Sequence, residues 1–412
     1  MIGEIIAIGD ELTSGRIANT TSAFAARRLF LAGHEIYAMH TIGDTPELIG
    51  EALKRAIKRV DFVIVTGGLG STTDDLTTEA VSRALDRPAI LNKTLLERIR
   101  SHLQGTGSGR TGLEKLAWLP EGAEVLNVDE RMAGYMLVHN ATPIFFLPGI
   151  PSQATKLLVD YVLPIISSWL ENSGHHVRMR LYKTVGLPEY EINKRLDGLE
   201  QHELVRLGYY PVDSEVHISL TVSGPDDKSA DELFASTEKS IRKALGNYIY
   251  GTDQATLPSV VGQLLKKESL NLCVAESCTG GLISSLITRE PGCSGWFLGG
   301  VTAYSNQLKE ILVDVEHKLL IRHGAVSGPV ARAMAQRLAE QVNSRVAISV
   351  TGIAGPGGGT DEKPVGTVYI GLYINGEVKD TRYLFSGSRK EIQAITAQTA
   401  LDSVRLALLK KN

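Results

Sequence analysis

Cysteine is nearly missing from this 412-residue chain: three occur, Cys273, Cys278 and Cys293, all in the last third. An odd, sparse set without paired spacing excludes a disulfide framework and fits reduced thiols in the cytosol. Long apolar runs are missing too, since no window reaches the ~18 residues a membrane span needs. Behind Met1 there is neither a basic n-region nor a signal-type apolar run, so a cytoplasmic protein without a membrane partner is expected. Charge of one sign is scarce as well. The net charge is −3 with no long block, whereas a dedicated nucleic-acid binder would show a basic patch. The pairs Arg27-Arg28, Lys54-Arg55 and Lys58-Arg59 fall on polar faces of helical patterns and read as solvated surface. No internal repeat or low-complexity tract is visible.

What is there is the composition of a globular protein, 43% hydrophobic and 22% charged. The length exceeds what one hydrophobic core usually serves, so two or three domains are expected. Residues 1–170 alternate strand and helix signals. Ile2 to Ile8, Glu35 to Ile42, Asp61 to Thr66 and Pro143 to Leu147 read as buried strands. Thr21 to Leu31, Pro46 to Ile57 and Ala154 to Trp169 read as helices. Such alternation predicts a largely parallel sheet with helices on both faces. The pattern breaks at Asn172 to His175. Residues 171–256 read as a small α+β unit, with strands Met179 to Val185 and Val216 to Val222 and a helix ending at Leu245. Thr252 to Thr256 is the second joint. Residues 257–412 repeat the alternation, with Val346 to Val350 as the clearest central strand. Asn375-Gly376 is a hairpin signal between Val368–Ile374 and Val378–Leu384. The fold class is therefore two three-layer α/β domains joined by a small α+β middle domain.

The C-terminal domain carries the most chemistry. An apolar run from Leu270 to Ala275 stops at Glu276-Ser277-Cys278-Thr279-Gly280-Gly281, and a helical pattern opens at Leu282. A strand–turn–helix junction of this kind sets a small nucleophile at the carboxyl end of a strand, under the partly positive end of a helix. Two segments answer it downstream: Tyr304-Ser305-Asn306 with Lys309, and Thr351-Gly352-Ile353-Ala354-Gly355-Pro356-Gly357-Gly358-Gly359. Each piece has a plainer reading. Ser277 taken alone is a helix cap, Lys309 a solvated helix residue and the glycine segment a mobile loop. All three follow apolar strands, where open α/β sheets place ligands.

These motifs, with Gly324-Ala325-Val326-Ser327, Lys363 to Val368 and Phe385-Ser386-Gly387-Ser388-Arg389, resemble the CinA C-terminal domain, a nicotinamide-nucleotide amidase. The resemblance runs over essentially all of 257–412. It implies hydrolysis of the carboxamide of nicotinamide mononucleotide to nicotinate mononucleotide and ammonia, with no cofactor. In that chemistry Ser277 is the expected nucleophile and Lys309 its base, which requires a lowered lysine pKa. Cys278 is a rival nucleophile and Thr279 a weaker one. Backbone N–H groups at 278–281 are expected oxyanion donors, so Thr279, Gly280 and Gly281 contact substrate. Tyr304 is expected to orient Lys309 or stack on the ring. Thr351, Arg389 and the loop glycines Gly352, Gly355, Gly357 and Gly358 are expected to hold the ribose 5-phosphate.

A second constellation, Thr66-Gly67-Gly68-Leu69-Gly70-Ser71-Thr72-Thr73-Asp74-Asp75, reads as an anion cradle with adjacent carboxylates suited to a divalent cation. The plainer reading makes Asp74 a helix cap and Gly9-Asp10-Glu11 a simple turn. With Asn19-Thr20 and Leu147 to Pro151, these segments resemble the CinA N-terminal domain, similar in fold to MoaB/MogA molybdopterin-binding domains. The resemblance implies metal-dependent splitting of ADP-ribose to AMP and ribose 5-phosphate. Mg²⁺, Co²⁺ or Mn²⁺ would sit on Asp10, Glu11, Asp74 and Asp75, and the nucleotide on Gly67, Gly68, Gly70 and Asn19. This half departs from the family pattern at Ser71, at Met132-Ala133-Gly134 and at Gln153, where proline, Ala-Pro-Gly and glutamate are usual. Two alternatives stand beside the bifunctional hydrolase of pyridine-nucleotide salvage. One is an N-terminal binding module with only the C-terminal domain catalytic; the other is a non-catalytic interaction protein. The middle unit reads as a spacer or dimerisation element of a homodimer.

Overall fold

The computed structural model describes residues 1–103, 113–127, 134–171 and 176–410. Two compact units emerge, Met1–Met179 with Thr221–Glu232, and Arg180–Leu220 with Leu233–Asn412.

In the N-terminal domain eight strands are β1 (Ile2–Ile8), β2 (Glu35–Ile42), β3 (Phe62–Thr66), β4 (Ala89–Leu91), β5 (Trp118–Pro120), β6 (Glu124–Val125), β7 (Tyr135–His139) and β8 (Thr142–Leu147). Six form one sheet in the order β2-β1-β3-β8-β7-β6, while β4 and β5 pair separately. The pairs β1·β2, β1·β3 and β3·β8 are parallel, and β7 and β6 close the edge antiparallel. Alternation along the strands feeds two cores. Ile6, Ile8, Val63 and Val65 pack with the helices Pro46–Ala56, Thr77–Ala84 and Lys93–Leu103. Ile5, Phe62 and Ile64 pack on the other face with Thr20–Leu31 and Pro151–Leu157. That is the expected three-layer arrangement.

The closing helix differs from the single run expected over Ala154 to Trp169. It begins at Pro151, widens into a π-type turn over Leu158–Val162 and resumes at Leu163–Glu171. Pro164 explains this: it lacks the N–H that an α-helix needs there, and its ring crowds the carbonyl four residues back. The expected joint at Asn172 to His175 lies outside the described residues.

The middle sheet has the order β10-β11-β9-β12, from β9 (His176–Val185), β10 (Val205–Val212), β11 (Glu215–Gly224) and β12 (Ile249–Thr252). The sequence pattern misses β10 because Gly208 and Pro211 interrupt it. Both are tolerated on an edge strand.

The C-terminal sheet runs β14-β13-β15-β16-β17, built from β13 (Leu272–Glu276), β14 (Phe297–Thr302), β15 (Val346–Gly352), β16 (Thr367–Ile374) and β17 (Glu377–Leu384). β13 pairs parallel with β14 and β15, and β16–β17 is the antiparallel hairpin expected at Asn375-Gly376. Both turn residues have positive φ, as such a two-residue turn requires. Leu272, Val274, Val346, Ile348 and Val350 pack under the helices Leu257–Lys267, Leu282–Thr288 and Arg389–Leu409. Cys273, Ala275 and Ala347 face Gly328–Gln341. The carboxyl ends of β13, β14 and β15 therefore meet at one rim, where the loops after them are free to form a site.

Candidate active site

Ser277 follows β13 directly. Its N–H donates to the Val350 carbonyl at 3.0 Å, which ties the turn to β15. Lys309 sits on the helix Asn306–Val313, whose start is fixed by the Ser305 hydroxyl accepting from Leu308 N–H. Only Lys309 and Val313 of this helix are buried, so its single inward stripe carries the lysine. The side chain is 1% exposed, which rules out the solvated-face reading. Its Nζ lies 2.9 Å from Ser277 Oγ, 2.9 Å from the Ala303 carbonyl and 3.1 Å from the Tyr304 carbonyl. Two of those partners are obligate acceptors and take two hydrogens. A neutral amine then has one lone pair left, and it faces the serine hydroxyl. Burial lowers the Lys309 pKa from 10.5 to about 8, within reach of a base at neutral pH.

The same burial acts against the rival thiol. Cys278 is buried, and desolvation pushes its pKa up to about 12, with the Glu276 charge acting in the same direction. A thiol held neutral loses its advantage as a nucleophile.

Glu276 is what the sequence reading passed over. It is fully buried and accepts from Thr279 Oγ1, Gly281 N–H and Ile283 N–H on one oxygen, and from Ser284 N–H and Oγ on the other, at 2.7–3.0 Å. This carboxylate, not Ser277, caps the helix Leu282–Thr288. The Gly281 φ of 100° is what lets the chain turn into it. The expectation of oxyanion donors throughout 278–281 is corrected accordingly. Gly281 N–H is taken by Glu276 and Gly280 N–H by the Ser277 carbonyl, which leaves Cys278 and Thr279. An ionisable residue ending an apolar strand just before a Thr-Gly-Gly turn was the available signal.

Arg389 opens the helix Arg389–Leu409, which carries a Ser388–Glu391 capping box. Its guanidinium donates to the Gly355 carbonyl at 2.8 Å and the Tyr304 hydroxyl at 2.7 Å, joining two site loops. One turn on, Gln393 donates to the Cys278 carbonyl at 2.8 Å. Tyr304 thus orients Lys309 through its backbone, while its ring is exposed. Thr351 is corrected as a phosphate holder: it is buried and donates to the Ala325 carbonyl at 2.8 Å. Gly352 and Gly355 lie against Val368 and Val365, where a side chain would collide, whereas Gly357 is open. Gly358 has only Ile353 at van der Waals distance. Thr279, Gly280 and Gly281 line a cleft of about 660 Å³ with Arg289, Lys390 and Gln393.

In the N-terminal domain Gly67 and Gly68 both have positive φ, and a side chain on Gly67 would strike the Ile8 carbonyl. Lys115 pins the loop by donating to the carbonyls of Thr72 at 2.9 Å and Asp75 at 2.6 Å. With Gly68, Gly70 and Tyr135 it lines a small cleft of about 30 Å³. Of the four carboxylates expected to hold a metal, Asp10, Glu11 and Asp74 lie near enough to Asp44 for their charges to add to burial in raising its carboxyl pKa, but they do not form a ligand group. Asp75 accepts from the Thr72 N–H and hydroxyl of its own loop. Asp10 exchanges bonds with Asp44, each accepting from the other's N–H, and Glu11 and Asp74 are exposed. Among the described residues no group of three His, Cys, Asp or Glu is placed to hold a metal ion. Asn19, expected on the nucleotide, instead caps the helix Thr20–Leu31 by accepting from Ser22 N–H and donates to Thr41.

Fold and site together define a three-part α/β protein with a buried serine–lysine pair at the rim of its last sheet. Three family descriptions match in order: "Probable molybdopterin binding domain" over 4–168, "Damage-inducible protein CinA KH domain" over 179–251 and "CinA C-terminal domain" over 254–408. A CinA-like protein of Desulfotalea psychrophila is 52% identical over 408 residues, covering 99% of both chains. Another, from Dictyoglomus thermophilum, is 37% identical over 98% of this chain and 99% of its own. Among solved structures, the competence/damage inducible protein CihA of Agrobacterium tumefaciens is 36% identical, covers 37% of this chain and 93% of its own, and has a TM-score of 0.36. The chain belongs to the CinA family. No helix among its described residues is long and apolar enough to cross a membrane.

Proposed function

We propose that the C-terminal domain hydrolyses the carboxamide of nicotinamide mononucleotide. The observation that carries this reading is Lys309, buried, with its amine 2.9 Å from Ser277 Oγ. Ser277 Oγ attacks the carboxamide carbon and its proton passes to Lys309 Nζ. The Cys278 and Thr279 N–H groups receive the developing oxyanion. Collapse breaks the C–N bond, and Lys309 returns the proton to the leaving nitrogen as ammonia departs. Water, deprotonated by Lys309, then cleaves the Ser277 ester; the serine regains its proton and nicotinate mononucleotide leaves. The substrate's pyridinium helps twice, making the carbonyl more electrophilic and favouring a neutral lysine. Arg389 and the open glycines Gly357 and Gly358 suit the 5-phosphate. An ammonia-release assay on the intact chain with this substrate tests the reading; no ammonia from pure, folded protein contradicts it.

For the N-terminal half, the pinned glycine cradle supports a nucleotide- or molybdopterin-type binding module. Metal-dependent splitting of ADP-ribose has no ligand group to support it among the described residues. Thermal shifts with ADP-ribose and no AMP formed favour binding, and AMP formed with Mg²⁺, Co²⁺ or Mn²⁺ favours pyrophosphatase action.

A further inference from the structure

Glu276 ends β13 with no exposed surface, and among the described residues it forms no ion pair. A carboxylate removed from water without a cation is stable only when its oxygens are filled by donors. Here all five partners are donors, and three of them are backbone N–H groups that cannot reverse their polarity. Thr279 and Gly281 belong to the turn that follows Ser277; Ile283 and Ser284 belong to the helix behind it. A single side chain therefore joins the strand before the nucleophile to the turn and helix after it.

We propose that Glu276 is the positioning residue of the serine–lysine pair, an inference that rests on the amidase reading above. By accepting from Gly281, Ile283 and Ser284 it fixes the turn geometry and occupies the helix-terminal N–H groups. The Cys278 and Thr279 N–H groups are then left facing the carbonyl that Ser277 attacks. Its negative charge also helps keep the Cys278 thiol neutral, which reserves the attack for the hydroxyl. Glu276 touches neither substrate nor the reacting atoms; it acts through the turn.

The carboxylate requirement makes the idea testable. Glu276→Gln is nearly isosteric, yet its amide NH₂ must face either the Gly281 and Ile283 N–H groups or that of Ser284, donor against donor. Glu276→Asp keeps the charge but falls a methylene short. In the full-length chain, kcat and KM for nicotinamide mononucleotide are measured for both variants and for Ser284→Ala, which removes one hydroxyl donor. Labelling of Ser277 by a fluorophosphonate is followed in parallel. The expected result for Glu276→Gln is a kcat lower by roughly 10²-fold, the scale of losing an oxyanion donor. KM stays within about threefold, and the alkaline-rising limb set by Lys309 stays in place, since the substitution does not touch the amine. Ser284→Ala is expected to lose a smaller part of kcat, and Glu276→Asp to recover part of what Gln loses. A folded Glu276→Gln with wild-type kcat, or a loss confined to KM, overturns the proposal. Should Glu276→Gln not fold, Ser284→Ala decides, and an unchanged kcat there overturns it. If the wild type releases no ammonia, the substrate reading fails and the labelling arm decides alone. Ser277 labelling that slows in the variants supports the positioning role; equal rates, or an unlabelled wild type, overturn it.

Discussion

Lys309 is the residue on which the chemistry turns, because burial alone brings its amine within reach of neutral pH. If the neutral amine is the base, kcat/KM must rise with pH through a limb near 8, the value burial gives this group. A pH–rate profile checks this, and a limb near 10 argues that the lysine remains solvated during turnover. The sign for stability follows from the same shift. The folded pKa lies below the unfolded 10.5, so the unfolded chain binds more protons between about 8 and 10.5. The Lys309 contribution therefore makes stability rise with pH across that window, and it is least favourable below it. At Ser277 and Cys278 the account predicts a clean split: Ser277→Ala loses nearly all amidase activity, and Cys278→Ser retains much of it. The pairing of Ser277 with Lys309 was legible through the family resemblance of the motifs that hold them, and Ser277 also through the apolar run of β13 before it. Thr351, Asn19, Asp10 and Asp75 each hold a local partner that the sequence did not reveal, for one common reason. Sequence shows that a polar group is present but not which local donor or acceptor has already claimed it.

Among the elements, the helix Arg389–Leu409 holds the site from behind. Its first turn contributes Arg389, on Gly355 and Tyr304, and Gln393, on the Cys278 carbonyl. Arg389→Ala is expected to raise KM by about tenfold, ~1.4 kcal/mol of ground-state binding, with a smaller change in kcat; steady-state kinetics check the split. Gly281→Ala introduces a side chain at a φ of 100°, which costs roughly 1–3 kcal/mol of strain. A lowered thermal transition together with reduced activity is the expected outcome. Central strands such as β13, β15 and β3 were plain from their apolar runs. The edges were not. β10 carries a glycine and a proline that an edge tolerates, and β14 carries Gly299 and Gly300. The π-type turn at Leu158–Val162 follows from Pro164, a local signal outweighed by the long helical pattern around it.

On the scale of the whole chain, both α/β domains end strands in glycine turns, yet the two turns differ in what their carboxylates do. In the C-terminal turn one buried carboxylate organises the N–H groups around a serine. In the N-terminal turn Asp75 closes on its own loop, and among the described residues no group of three His, Cys, Asp or Glu is placed to hold a metal ion. The full chain carrying Ser277→Ala isolates the N-terminal domain without cutting the molecule. With ADP-ribose it is expected to give a raised thermal transition and no AMP under Mg²⁺, Co²⁺ or Mn²⁺, while steady AMP formation with any of these metals restores the pyrophosphatase reading. The most direct test of the central claim is to quench the intact chain during turnover of nicotinamide mononucleotide and map the acylated peptide by mass spectrometry. The account predicts a carbonyl-linked mononucleotide adduct on Ser277 that vanishes in Ser277→Ala. An adduct on Cys278, or undiminished turnover by Ser277→Ala, contradicts it.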